Sequence, residues 1–96
     1  MTREEIIAVL ENEKQFLSEK FGVEEIALFG SYARNEQKDD SDIDVLVQLR
    51  EPKLKTLIGV LEFFENKFHK KIDLTTKHKY LSQRFWNVVN DDIIYV

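Results

Sequence analysis

The run GSYARNEQKDDSDIDVLV, Gly30 to Val47, decides how this chain is read. Near its end, apolar side chains recur at every second position: Ile43, Val45, Val47 and then Leu49. Asp42, Asp44, Leu46 and Gln48 take the places between them. A period of two predicts a strand over Ile43–Leu49, with one face for a core and Asp42 and Asp44 together on the other. Asn35 to Ser41 holds no apolar residue and reads as a loop back to Gly30-Ser31. Core packing accounts for the branched residues. It gives no reason for two carboxylates at the head of an apolar strand.

Outward from that run, the chain alternates helical and extended patterns. Thr2 to Phe21 reads as a helix, with Thr2 and Glu5 at capping-box spacing and Gly22 placed to close it. Ile6, Leu10, Leu17 and Phe21 mark its apolar face, broadened by Val9 and Phe16. EIALF, Glu25 to Phe29, is a short strand, and Ser31 to Arg34 a helical turn after it. Pro52 ends the second strand. Leu54, Leu57, Ile58, Leu61, Phe64 and Phe68 then step by three and four, which predicts a helix from Lys53 to His69. KIDLTT, Lys71 to Thr76, is a third strand with Ile72 and Leu74 on one face and Asp73 on the other. Tyr80 to Val89 reads as a last helix, with Leu81, Phe85 and Val88 as its buried stripe. Trp86 cannot share the direction of Phe85 and is expected at the core edge. IIYV, Ile93 to Val96, suits an edge strand. The expected fold class is α/β (α+β): one domain over residues 1–96, a small mixed sheet covered by helices.

Composition removes several function classes. A formal net charge of −4 is the wrong sign for a free-standing module that grips nucleic acid, so direct nucleic-acid binding is not expected. There is no cysteine, which rules out disulfides and thiolate metal sites. No apolar run reaches the roughly 20 residues of a membrane span, and the first residues are not signal-like, so a cytoplasmic location is expected. His69 and His78 lack ligand spacing and read as solvated. The basic residues around them, Lys70, Lys71, Lys77 and Lys79, suit a solvated helix end.

Two carboxylates on one strand face repel unless a cation or proton lies between them. Magnesium suits such a pair, since it takes one or two carboxylates and completes its shell with water and phosphate oxygens. Sites of that kind serve phosphoryl and nucleotidyl transfer. Gly30 and Ser31 can hold a triphosphate: the glycine lets phosphate approach the backbone, and the serine hydroxyl adds a donor. Arg34 is a further candidate phosphate contact. If the third strand neighbours the second, Asp73 joins Asp42 and Asp44, either as ligand to a second metal or as general base. Two decoys fail. From Asp40 the chain has the acidic spacing of a calcium loop ending at Glu51, but Val45 stands where that loop needs glycine. No GK[ST] follows Gly30 at P-loop spacing.

Gly30-Ser31, a spacer, and Asp42-Ile43-Asp44 on a strand resemble the signature of the DNA polymerase beta-like nucleotidyltransferases. Within that superfamily the SDID core is most similar to the minimal nucleotidyltransferases, the MNT family of MntA-like antitoxins. The resemblance spans nearly the whole chain. It implies a polymerase beta-like nucleotidyltransferase fold and Mg2+-dependent transfer of a nucleotide, usually AMP from ATP, with pyrophosphate leaving. Carried onto this sequence, Asp42, Asp44 and Asp73 would be the catalytic, metal-binding carboxylates of a two-metal site. Gly30, Ser31 and Arg34 would be the nucleotide-binding residues. Asn35 departs from the family's usual glycine; asparagine is the residue best able to replace it in a left-handed turn. The resemblance further implies a HEPN-type toxin as partner, silenced by adenylylation of a tyrosine hydroxyl.

Two other readings stay open on the residues alone. The chain can neutralise a partner by stoichiometric binding without chemistry, or it can act as a free-standing transferase on a small molecule or RNA end.

Overall fold

The inward face of each element was set by the side-chain period, and the computed structural model, which describes every residue except Lys79, shows where those faces meet. Lys79, counted above with the basic cluster, lies outside the described residues. The first helix, α1, spans Arg3–Phe21. Both capping-box bonds form: the Glu5 amide donates to Thr2 Oγ1 at 3.1 Å, and the Thr2 amide donates to the Glu5 carboxylate at 2.9 Å. Gly22 closes the helix at φ 71°, a left-handed conformation that glycine adopts without strain.

Strand β1 (Val23–Phe29) leads into a single helical turn, α2 (Gly30–Ala33), then β2 (Ile43–Leu49), α3 (Leu54–Phe68), β3 (Ile72–Thr76), α4 (Gln83–Val89) and β4 (Ile94–Tyr95). The strands form one mixed sheet in the order β3-β2-β1-β4. β1 runs antiparallel to β2 and β4, whereas β2 and β3 are parallel and α3 makes the crossover between them. One sheet face is packed by α1 and α3: Ile43, Val45 and Val47 meet Ile6, Leu10, Leu17, Val60 and Phe64. On the other face α4 covers Ala27, Phe29 and Leu46 with Val89, Phe85 and Trp86. Asp42 and Asp44, at the head of β2 on that second face, stay half-buried beyond this cover. Among the described residues, no helix is long and apolar enough to cross a membrane.

Three expectations need correcting. The last helix begins at Gln83, not Tyr80, because Ser82 caps it by accepting a hydrogen bond from the Phe85 amide at 3.1 Å. Its buried stripe runs through Phe85 and Val89, four residues apart, while Val88 is 67% exposed. On α3, Val60 is fully buried, whereas Leu54 and Ile58, at the outer side of its apolar face, are 71% and 45% exposed. Trp86 lies half-buried at the core edge, in edge contact with Phe85 at 5.3 Å between ring centroids. His69 and His78 are both exposed.

Candidate active site

The site grows from the pairing of three strands. Antiparallel pairing of β1 with β2 puts Phe29 opposite Asp44, so the chain turns into α2 directly beside the Asp44 side chain. Gly30 makes that turn at φ 75°. A Cβ built on it would overlap the Asp44 carboxylate, with Cγ at 2.7 Å. Both the backbone angle and the missing side chain are therefore required, and Gly30 and Asp44 form one structural unit. Ser31, half-buried, is the next residue, and its carbonyl accepts from the Glu36 amide at 2.9 Å. Asn35 occupies the left-handed region at φ 60°, the geometry its side chain tolerates, and redirects the chain into the polar loop. Ser41 Oγ accepts from the Lys38 amide at 2.9 Å and steadies the return to β2.

Parallel pairing of β2 with β3 supplies the third carboxylate, with Asp44 directly opposite Asp73. The adjacency that alternation alone left conditional is present. Partial burial is the largest cause pushing the Asp44 pKa up from 3.8 to about 6, followed by the nearby Asp73 carboxylate and then Asp42; Arg34 offsets part of the rise. Asp73 itself is exposed. Asp42 lies on the same face as Asp44, with Lys71 Nζ at 3.8 Å from its Oδ2. Arg34 is held between two carboxylates, Nε at 3.3 Å from Glu36 and Nη1 at 3.7 Å from Asp92. Sequence reasoning missed Asp92, which the turn before β4 brings to Arg34 from 58 positions away. Lys71, expected at a solvated helix end, stands on the acidic face, where its i, i+2 alternation with Asp73 puts it.

Beside Asp73, β3 and α4 enclose an open cleft of about 460 Å³ whose apolar walls are Phe29, Phe85, Val88 and Val89. Thr75, Ser82 and Arg84 give it a polar rim. A depression of similar size, about 440 Å³, lies against Gln83, Trp86 and Asn90 of the α4 region and touches none of the three aspartates. The first is the cleft that reaches Asp73.

Among the described residues no three acidic or histidine side chains are gathered into a ready-made metal cage. The donor set nevertheless suits a hard divalent cation. All its donors are carboxylate oxygens, and Asp44 and Asp73 lie directly opposite each other, the Asp73 charge adding to burial in raising the Asp44 pKa.

Residues 10–95 match the sequence profile of the nucleotidyltransferase domain. The chain belongs to the nucleotidyltransferase domain family. Its similarity to the protein adenylyltransferase MntA of Thermococcus cleftensis is 40% identity over 97 residues, covering 100% of this chain and 97% of that one. A solved structure bearing the name minimal nucleotidyltransferase superposes with a TM-score of 0.78 at 27% identity, covering 98% of this chain and 95% of that one. A toxin–antitoxin structure with AMP-PNP shares the fold, with a TM-score of 0.69 at 22% identity over 88% of this chain and 70% of that chain. This nucleotidyltransferase is thus a small α/β member of its family, and the resemblance seen in the Gly30–Val47 run holds along the chain.

Two outcomes follow from the geometry. Gly30→Ala forces the backbone or the Asp44 carboxylate to move; it is expected to cost about 1–3 kcal/mol of stability in a chemical denaturation series. The pH response concerns the cation-free protein, kept in chelator. A raised carboxylate pKa means the folded state holds the proton more tightly than the unfolded chain does. Asp44 therefore favours folding fully below 3.8, and this contribution is lost as pH rises through about 6. Asp44→Asn removes the loss. Thermal melts should show wild type and Asp44→Asn alike at pH 4, with the variant ahead at pH 7.5 by about 1 kcal/mol after solvent screening, roughly 4–8 °C.

Proposed function

We propose that this nucleotidyltransferase transfers AMP from ATP to a hydroxyl of a partner protein, with a tyrosine as acceptor and a HEPN-type toxin as partner. In this reading it is the antitoxin of a toxin–antitoxin pair and works in the cytoplasm, where ATP is supplied. The observation that carries the reading is the pairing of Asp44 with Asp73 beside Gly30. The 40% identity to a protein adenylyltransferase over the full chain supports protein as the acceptor class. The fold shared with the AMP-PNP toxin–antitoxin structure is consistent with ATP as donor.

The transfer balances simply. The acceptor oxygen forms a bond to the α-phosphorus of ATP, the α–β phosphoanhydride bond breaks, and pyrophosphate leaves. The acceptor proton passes to Asp73 or to water at the open side of the site. Gly30 lets the triphosphate approach the chain where α2 begins, and Ser31 and Arg34 donate to its oxygens. Asp42, Asp44 and Asp73 would hold Mg2+, in one or two sites. When bound, the cation neutralises phosphate charge and stabilises the leaving pyrophosphate. Asp44 must lose its proton to serve as a ligand, which its pKa near 6 permits at neutral pH.

A second reading, neutralisation of the partner by binding alone, draws on the exposed Leu54 and Ile58 of α3, which lie on the sheet face opposite the aspartates. One experiment separates the two. The chain is used to capture its partner from the native host, and the complex is given ATP and Mg2+ and weighed intact. The expected result is partner carrying one or more added AMP groups, with Asp44→Asn slowing the addition on the order of 10²–10³-fold while capture is retained. A stable wild-type complex whose mass never changes under ATP would leave the binding reading in its place.

A further inference from the structure

The register that sets Asp44 opposite Asp73, continued two positions back, brings Asp42 and Lys71 together. Ile43 pairs with Ile72, and the Ile43 amide donates to the Lys71 carbonyl at 3.1 Å, which fixes the Lys71 backbone against the head of β2. Alternation then puts the Lys71 side chain on the face that carries Asp73. Its Nζ lies 3.8 Å from Asp42 Oδ2, and the side chain is 78% exposed. On this face the sheet lays down two cross-strand pairs. One is acid against base, Asp42 with Lys71; the other is acid against acid, Asp44 with Asp73.

The surrounding cations are differently placed. Arg34 is held by Glu36 and Asp92, and the Lys70 ammonium donates to the Asp39 carbonyl at 2.9 Å. Lys71 instead ends in a point charge on a flexible four-carbon stem, with Asp42 as its ion-pair partner among the described residues. A pair of that length and exposure is weak and readily exchanged. Asp42 cannot give full charge to a metal while it faces an ammonium, and an ammonium released there stays at the end of the sheet where Phe29, Asp44 and Asp73 pair and Gly30 begins α2.

We infer that Lys71 is an exchangeable counter-ion: it neutralises Asp42 in the nucleotide-free protein and turns to the triphosphate once Asp42 serves the divalent cation. The inference rests on the function proposed above. It gives Lys71 two opposite effects. Toward the metal alone it is a competitor; toward metal and nucleotide together it is a ligand.

Titration calorimetry on the purified chain tests this with two probes, MgCl2 alone and Mg2+ with α,β-methylene-ATP, whose bond at the transfer point cannot be cleaved. Lys71→Ala is expected to bind Mg2+ alone about 3- to 10-fold more tightly and the Mg2+–nucleotide analogue about 3- to 10-fold more weakly. Lys71→Arg should stay within about twofold of wild type for both probes, since it keeps the charge. In an Asp42→Asn background, Lys71→Ala should no longer tighten Mg2+ binding. The exposed position makes Lys71→Ala compatible with folding, which a thermal melt checks. Unchanged affinities, or affinities that shift in the same direction for both probes, overturn the exchange and leave Lys71 a solvated edge residue. A wild-type chain that fails to bind the Mg2+–nucleotide analogue overturns the proposed function with it, which distinguishes the two failures.

Discussion

The parallel pairing of β2 with β3 is the constraint on which the remaining structure depends. Parallel neighbours need a crossover, and α3 provides it by burying Val60, Phe64 and Phe68 against the sheet. The register that results is strongly specified. A slip of one residue would turn Asp73 into the core and expose Ile72 and Leu74, an exchange of a carboxylate for two apolar side chains. The hydrophobic core on one face thereby dictates the placement of carboxylates on the other. Asp73 faces Asp44, and Lys71 faces Asp42, because Ile72 and Leu74 must face α3.

That placement works against the stability of the fold. Asp44 is half-buried beside a second carboxylate, and Gly30 bends into a left-handed angle so that the Asp44 side chain can cross it. Neither feature helps folding, and both are confined to the edge of the structure that α4 leaves uncovered. The stability they cost is offset by a core of fully buried side chains, Ile6, Leu10, Leu17, Val45 and Val47 among them. Local rules broken at one place, with a well-packed remainder, mark the point where function competes with folding.

Much of this was legible in the sequence because it is written in periodicity. Ile43 to Leu49 alternates cleanly, and its strand boundaries agree with the structure to the residue. Thr2, Glu5 and Gly22 are capping residues with local geometry, so α1 could be bounded from either end. The start of α4 was misplaced because Tyr80 and Leu81 extend an apolar pattern that Ser82 interrupts by capping the helix, and capping decides boundaries where pattern is weak. The inward side of α4 follows the four-residue step from Phe85 to Val89, not the three-residue step to Val88. The three aspartates could be picked out by their alternation, but the opposition of Asp44 and Asp73 belongs to strand order, which no local pattern encodes. The same holds for Asp92 against Arg34, a contact made by two turns distant in sequence.

The account turns on the opposition of two carboxylates, Asp44 and Asp73, across β2 and β3. A carbon-detected NMR titration of the aspartate carboxyl groups, in chelator, measures it directly on wild type and on Asp73→Asn. Asp44 should titrate near 6 in wild type and move down toward 3.8 when the Asp73 charge is removed, with the remainder of the rise due to burial. An Asp44 that titrates near 3.8 in both proteins would contradict the pairing and the site built on it.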